Sequence, residues 1–462
     1  MLILKSQFPL YFSYHLPTFA SMYPDLHYFI EGLLGIDVPE WVGVFKTFGL
    51  FVALGFLASS YVLVLDLKRK EKLGILVPTY STVEVGKPAT QKELLMALLT
   101  GFIIGYKIGG MLLNWQTVSP NPMGYLFSLE GSFLPGLLVA LFTAYTKYRE
   151  KKKQELPTPK KQTIATYPHH RITELVVIAM VAGLGGAKIF NAFETWDDFI
   201  RNPIENLISS SGLTFYGGLI TAGICIVWYA RKHKIPVPVL LDSFAPVMML
   251  AYAVGRLGCH FSGDGDWGVF NSAYITVRDG VALEAAQADQ FLSTLHQNQQ
   301  YLASLAHEFG GVQNIPHIYM PAPGWLPDWL LGMNYPYNVN NEGIFIPGCT
   351  GDYCHVLPVS VFPTSIYEFF ACFILFIILW VLKNKFTVAG KLFGLYLIFN
   401  GLERFFIEKI RVNSRYDLGF IQPTQAEIIS FFLVVLGILF IVLSRKKYET
   451  YIEEHKAQAI SK

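Results

Sequence analysis

Residues 237–268 read VPVLLDSFAPVMMLAYAVGRLGCHFSGDGDWG. The stretch to Ser262 is long and apolar enough to cross about 30 Å of hydrocarbon as a helix. It carries an arginine, Arg256, near its end and then breaks into a glycine-rich loop with two carboxylates, Asp264 and Asp266. An arginine near the end of a span can snorkel to lipid phosphates. Closely spaced glycines and carboxylates argue instead for a polar pocket with close backbone approach to a ligand.

The same apolar texture recurs along all 462 residues, of which 52% are hydrophobic and only 15% charged. A soluble domain carries roughly 25% charged residues, so a water-facing surface is excluded. The backbone of such runs must satisfy itself within each segment, which implies an all-α polytopic membrane protein. Nine spans are expected, at 43–66, 93–113, 131–146, 173–192, 214–230, 237–262, 365–382, 389–409 and 424–444; the third is short, and without it the count is eight. Basic clusters follow alternate spans: Lys68-Arg69-Lys70, Lys151-Lys152-Lys153, Arg231-Lys232, Lys383 with Lys385, and Arg445-Lys446-Lys447. The loops between them are poor in Lys and Arg; the long one at 263–362 has only Arg278. The positive-inside rule then puts the N-terminus outside and the C-terminus inside. With 36 Lys and Arg against 34 Asp and Glu, no basic surplus points to nucleic acid. The first residues lack the basic start and cleavage site of a removable signal peptide.

The expected organisation is an external segment at 1–42, spans at 43–262, a periplasmic cap at 263–362, spans at 363–444 and a cytoplasmic tail at 445–462. Within the cap, Leu292, Leu295, Leu302 and Leu305 fall at helical spacing, ahead of an irregular part from Pro316 to Pro363. Cys349 and Cys354 are either a disulfide or two free thiols. Residues 98–150 repeat at 179–231 with a constant offset: Gly105 falls on Gly186, Lys107 on Lys188, Gly131 on Gly212 and Gly136 on Gly217. Both copies run in the same sense, so a parallel duplication or shared helix-packing positions explains the match.

Ionisable residues inside spans are functional candidates by default. Asn400, Arg404 and Glu408 recur every four residues and so share one stripe of a helix, with Glu403 and Arg411 close by. Arg256 and Arg404 each lie about 9 Å inside the outer end of their spans at 1.5 Å per residue. Two guanidiniums at one depth repel unless an anion lies between them, and a phospholipid phosphate suits bidentate arginine. Tyr216, before Gly217 and Gly218, reads either as an interface anchor or as a hydroxyl left open to a partner. Ser365-x-x-Glu368 and Thr424-x-x-Glu427 look like capping boxes. Lys107 and Lys188 are buried donors, snorkelling cations or members of intrahelical pairs. Neither a nucleotide loop nor a metal cluster of convincing spacing is present, so no cofactor or metal is expected.

From Gly255-Arg256-Leu257-Gly258 through Gly263-Asp264 to Gly268, the chain resembles the signature of bacterial prolipoprotein diacylglyceryl transferases. Matches continue in order at Phe48-Gly49-Leu50, Gly185 to Lys188, Phe215 to Leu219, Pro363 to Glu368, Asn400 to Arg411 and Gln422 to Gln425. The resemblance implies a multi-pass enzyme of the bacterial inner membrane with its active site towards the periplasm. It would move the diacylglyceryl group of phosphatidylglycerol onto the lipobox cysteine thiol of a prolipoprotein, leaving a thioether and glycerol phosphate. It gives Arg256 the phospholipid, with Gly255, Gly258, Gly217, Gly218, Asn400 and Asp264 around the substrate, and gives Arg404 and Glu408 catalytic places.

The chain departs from the family at Tyr216, where many members have His, at Asn400 and Phe48, where they have Tyr, and at Cys259, where they have Asn. It also has one more residue between Asp264 and Gly268, and an extra helix pair that the unit at 98–150 would supply. Alkylating a thiol requires a thiolate, and free Cys ionises near pH 8.5, so a base or positive field is needed. Tyr216, by position, and His260, one turn beyond Arg256 on the same helical face, are the candidates. The competing class is a phospholipid or anion transporter that uses the same arginines without chemistry; a third is a membrane scaffold.

Overall fold

The structure is a computed structural model that describes residues 21–118, 125, 128–208, 214–277, 281–287, 289–413, 415–416, 419 and 422–460. The principal helices are α1 (Leu26–Leu34), α2 (Thr47–Lys72), α3 (Gln91–Leu113), α4 (Phe133–Gln154), α5 (Ile172–Glu194), α6 (Phe215–Lys232), α7 (Val237–Ser262), α8 (Gln290–Gln297), α9 (Thr364–Leu382), α10 (Lys391–Glu408), α11 (Gln425–Leu443) and α12 (Tyr448–Ile460). Strands are β1 (Thr79–Val85), β2 (Lys160–Thr166), β3 (Phe270–Thr276), β4 (Leu283–Ala285), β5 (His317–Ile318), β6 (Ile344–Phe345), β7 (His355–Val356) and β8 (Val359–Val361). Among the described residues, six helices are long and apolar enough to cross a membrane: α2, α3, α5 with its leading turn from Pro168, α7, α9 and α11. Helices α4, α6 and α10 occupy the places of the other three expected spans but are not apolar enough to be counted with them. The chain divides into two compact units, Met1–Val62 with Leu241–Lys446 and Leu63–Leu240 with Lys447–Lys462.

In the first unit the position of α10 follows from one buried carboxylate. Asp242 of α7 is fully buried and accepts from Gly390 N (2.7 Å) and Phe393 N (2.9 Å). These are orphan donors at the start of α10, where a negative charge also meets the positive end of the helix dipole. The chain enters α10 through Gly390 at φ 93°, a left-handed turn that glycine adopts without a Cβ clash. Further along, α10 and α11 approach closely enough that a Cβ on Gly394 would lie 2.7 Å from Gly437 O, and one on Gly401 2.7 Å from Ser430 O. Small residues at a crossing allow this backbone approach. The expected capping box opens α11: Thr424 N donates to Glu427 Oε2 (3.1 Å) and Glu427 N to Thr424 Oγ1 (3.2 Å).

The insert between α7 and α9 has helices where the leucine spacing placed them and mostly irregular chain from Pro316 to Pro363, tied together by short strands. β3 is the centre of a four-stranded sheet, antiparallel to β4 and β8 and parallel to β5, while β6 and β7 form a separate antiparallel pair. Leu295 of α8 and Leu302 are fully buried in a core with Phe270, Val359 and Val361. Buried Asn271 of β3 ties distant backbone together, donating to Met320 O (2.8 Å) and Leu331 O (3.0 Å). Cys349 and Cys354 form a disulfide. The helical membrane core thus carries small sheets that an all-α reading did not anticipate. Strands of two or three residues are too short to show an alternating pattern, and the seven-residue β3 is buried along most of its length and so does not alternate.

In the second unit, β1 and β2 pair antiparallel from Thr79↔Thr166 to Val85↔Lys160. Lys70, one of the basic cluster after the first span, is buried. It meets Asp66 Oδ2 at 3.2 Å and donates to Val239 O at 2.8 Å. Lys107 donates to Tyr125 O (2.9 Å) and Lys188 to Asn206 O (3.1 Å), so the proposed repeat places the same bond at the same offset in both copies. Gly212 of that repeat, Leu213, Arg278 and the first 20 residues lie outside the described residues.

Candidate active site

Arg256 lies in the last two turns of α7, and each of its guanidinium nitrogens is close to a polar partner. Nε meets Glu368 Oε2 at 2.6 Å, Nη2 donates to the Tyr252 hydroxyl at 2.9 Å, and Nη1 pairs with Asp266 Oδ2. Tyr252 stands one helical turn earlier, with its ring 4.9 Å from the guanidinium carbon. Arg404 reaches the same carboxylate from α10: its Nη1 lies 3.1 Å from Glu368 Oε1 and its Nη2 3.2 Å from Glu408 Oε2. Glu408 also accepts from Asn413 Nδ2 at 2.7 Å. The two arginines therefore do meet, and the anion between them is the fully buried Glu368.

That corrects the reading of Glu368 as a helix cap. Helix α9 begins after Pro363 without a side-chain cap, and Glu368 points into the charge cluster instead. A second carboxylate makes a parallel link. Asp266, on the loop after α7, pairs with Arg256 and also, through Oδ1, with Arg411 Nη2. Among the described residues, Arg411 Nε and Nη1 are buried without hydrogen-bond partners. Burial, offset only in part by Glu368, holds the Arg411 guanidinium below its usual pKa, so a further anion there would be welcome.

Three guanidiniums thus share Glu368, Asp266 and Glu408. Buried ion groups of this kind persist when each member is paired and hydrogen-bonded. Among the described residues, the buried guanidinium nitrogens without hydrogen-bond acceptors are Nε and Nη1 of Arg411 and Nε of Arg256, the last in ion-pair contact with Glu368. The cluster is suited to binding an anion and stabilising negative charge that develops on it.

Of the remaining expected residues, Asp264, His260, Gly258, Gly255 and Asn400 belong to the same unit as this cluster. Asp264 accepts from Asp266 N at 3.3 Å, while burial pushes its carboxyl pKa up against the opposing pull of Cys259 and Arg256. His260 is fully buried, with its ring 6.1 Å from that of Tyr335 and 5.5 Å from that of Phe261. Gly258 lets α7 press on α2, since a Cβ there would lie 2.9 Å from Phe51 Cβ, whereas Gly255 has open space. Asn400 is half-buried one turn before Arg404. Tyr216, Gly217 and Gly218 belong to the second unit, in the first turn of α6. There the room left by the two glycines is filled by α5: a Cβ on Gly217 would meet Phe190, and one on Gly218 would lie 2.8 Å from Gly183 O. Sequence reasoning passed over Glu368, Tyr252 and the pairing role of Asp266. Arg411 was noticed only as a neighbour.

Fold and site together define a multi-pass helical membrane protein with a buried guanidinium–carboxylate cluster at the end of one span. A family model described as prolipoprotein diacylglyceryl transferase matches residues 132–443, and the chain belongs to that family. Curated relatives carry the name phosphatidylglycerol--prolipoprotein diacylglyceryl transferase. One from Clostridium novyi is 26% identical over 289 residues, covering 62% of this chain and 85% of the relative. Another from Chlorobaculum tepidum is 24% identical over 355 residues, covering 72% and 94%. A third from Leptospira interrogans is 35% identical over 177 residues, covering 32% and 52%.

Proposed function

We propose that this protein transfers the diacylglyceryl group of phosphatidylglycerol to the lipobox cysteine thiol of prolipoproteins, the first step of lipoprotein maturation. The observation that carries the reading is the gathering of Arg256, Arg404 and Arg411 around shared carboxylates at the end of α7. The reaction has one demanding electrostatic event. As sulfur attacks the glycerol carbon, the carbon–oxygen bond to phosphate breaks and that oxygen gains negative charge. Preorganised guanidiniums in a water-poor site stabilise such charge. Arg256 and Arg411 bind the phosphate, Arg404 adds positive field, and Glu408 with Glu368 holds Arg404 in place. Asp264, Asn400 and the glycines of the α7 end line the approach.

Nine crossings, the six long apolar helices plus α4, α6 and α10, put the chain ends on opposite sides of the inner membrane. The Cys349–Cys354 disulfide in the insert favours an oxidising periplasm on the site's side. The insert then acts as a cap over the outer face. Tyr216 and His260 remain candidate bases for the thiol; unchanged transfer by His260→Ala between pH 6 and pH 8 would remove the latter.

The test is to incubate purified protein with phosphatidylglycerol and a lipobox peptide. Mass spectrometry should find diacylglyceryl addition on the cysteine and released glycerol phosphate. Phospholipid movement without a thioether would favour a transporter.

A further inference from the structure

Asp266 differs from the other carboxylates of the cluster. Glu368 and Glu408 have side chains 0% and 1% exposed, whereas the Asp266 side chain is 19% exposed. Glu368 and Glu408 project from helices, but Asp266 sits on a loop whose glycines take left-handed conformations, Gly263 at φ 62° and Gly265 at φ 92°. The loop's far end is pinned, with Gly268 N donating to Phe362 O (2.8 Å) and Val269 N to Ile410 O (2.8 Å). The Asp266 carbonyl accepts from Thr364 Oγ1 at 3.2 Å. Its backbone is therefore fixed, while its side chain can leave the guanidiniums by a rotamer change.

The carboxylate spans Arg256 Nη1 and Arg411 Nη2 as one anion bridging two guanidiniums. A phosphodiester presents two such oxygens with the same single charge, and it can also take the N–H donors that Arg411 leaves unused. The two anions compete for one place.

We propose that Asp266 accepts the proton of the incoming lipobox thiol, and that it does so only once phospholipid phosphate has displaced it from Arg256 and Arg411. The idea rests on the transferase reading above. A carboxylate held between two guanidiniums is a poor proton acceptor, and one released into a desolvated pocket is a better one. The thiol S–H bond breaks and its proton passes to a carboxylate oxygen of Asp266. The sulfur electron pair forms the bond to the glycerol carbon. The carbon–oxygen bond to phosphate breaks with its electrons kept on oxygen. Glycerol phosphate departs, and the proton on Asp266 is lost to that phosphate or to water. The thiol is thus ionised only when a lipid is present to receive it, which imposes lipid before peptide.

The test measures transfer from pH 6 to pH 9 by wild type, Asp266→Asn and Asp266→Glu in phosphatidylglycerol nanodiscs with a lipobox peptide, alongside phosphatidylglycerol binding. Asp266→Asn should bind lipid at least as tightly as wild type, yet transfer about 100-fold more slowly at pH 7, the low end for loss of a general base. Its rate should rise about tenfold per pH unit towards pH 8.5, where the peptide thiol ionises unaided. Asp266→Glu should recover most of the rate. Asp266→Asn transfer within a few-fold of wild type would overturn the proposal. So would a loss equal at every pH, or a loss of lipid binding, since either would make Asp266 a structural clamp. A wild type that binds lipid without making a thioether would instead overturn the transferase reading.

Discussion

Two buried ionic networks in this molecule are built differently. In the second unit, Asp66 takes both Arg69, through Nε (2.9 Å) and Nη2 (2.8 Å), and Lys70 (3.2 Å), whose remaining reach goes to Val239 O. The Asp66 and Lys70 side chains are 1% and 2% exposed. In the first unit, three arginines share three carboxylates, two nitrogens of Arg411 lack hydrogen-bond partners among the described residues, and one carboxylate lies on a loop. A closed network holds helices together; an open one keeps capacity for a ligand. The contrast separates buried charge that serves packing from buried charge that serves chemistry.

The largest effects should fall on the open network. Arg404→Ala or Arg256→Ala should lower transfer by about 1,000-fold, the scale of losing a preorganised charge-stabilising donor. Arg404→Lys should not restore it, because an ammonium cannot bridge Glu368 and Glu408 as the planar fork does. Mass-spectrometric assay of the folded variants would check this. Retained activity in either alanine variant would erase the distinction between the networks.

Next come the network's own supports. Glu368→Gln leaves two guanidiniums facing each other across a neutral amide and should cost about 3–5 kcal/mol of stability, read as a lowered unfolding midpoint in detergent. Lys70→Met should destabilise by a smaller amount, since it leaves the buried Asp66 with Arg69 as its one remaining cation among the described residues. The specific activity of its folded fraction should stay at the wild-type level. Adding Asp66→Asn should return part of the loss, because a buried neutral amide costs less than a buried carboxylate that has lost one of its cations. If Lys70→Met abolished transfer in folded protein, the closed network would also belong to the chemistry.

How much of this was legible follows the range of the interactions. Arg404 and Glu408 could be read as partners because a helix brings positions four apart onto one face. The Thr424 and Glu427 capping box is likewise local. Glu368 was hidden by an equally local pattern: Ser365-x-x-Glu368 suits a cap, and nothing in four residues says that the carboxylate faces another helix. Asp264 and Asp266 are two positions apart in a glycine loop, whose permissive backbone leaves open which one turns toward the arginines. Lys70 reads only as part of a basic triplet that orients the span; its partner Asp66 lies one turn before it. The strand pair β1 and β2 escaped notice because its residues are mostly polar on both faces.

The smallest expected effect tests the loop carboxylate that does not pair. Asp264 has its carboxyl pKa raised chiefly by burial, with Cys259 and Arg256 opposing. A raised folded pKa means that the ionised group opposes folding. The penalty is complete above the folded pKa and vanishes below the unfolded value near 3.8, so it fades as pH falls through that window. Asp264→Asn removes the charge and should raise the unfolding midpoint at pH 7 by the equivalent of about 1 kcal/mol or less. The difference from wild type should shrink as the solution is acidified towards pH 4. Asp266→Asn should behave in the opposite sense, losing stability at pH 7 because its charge is paired with Arg256 and Arg411. Thermal unfolding of both variants at pH 4 and pH 7 reads the two signs directly. Equal signs would mean that the loop does not divide its two carboxylates between burial and pairing.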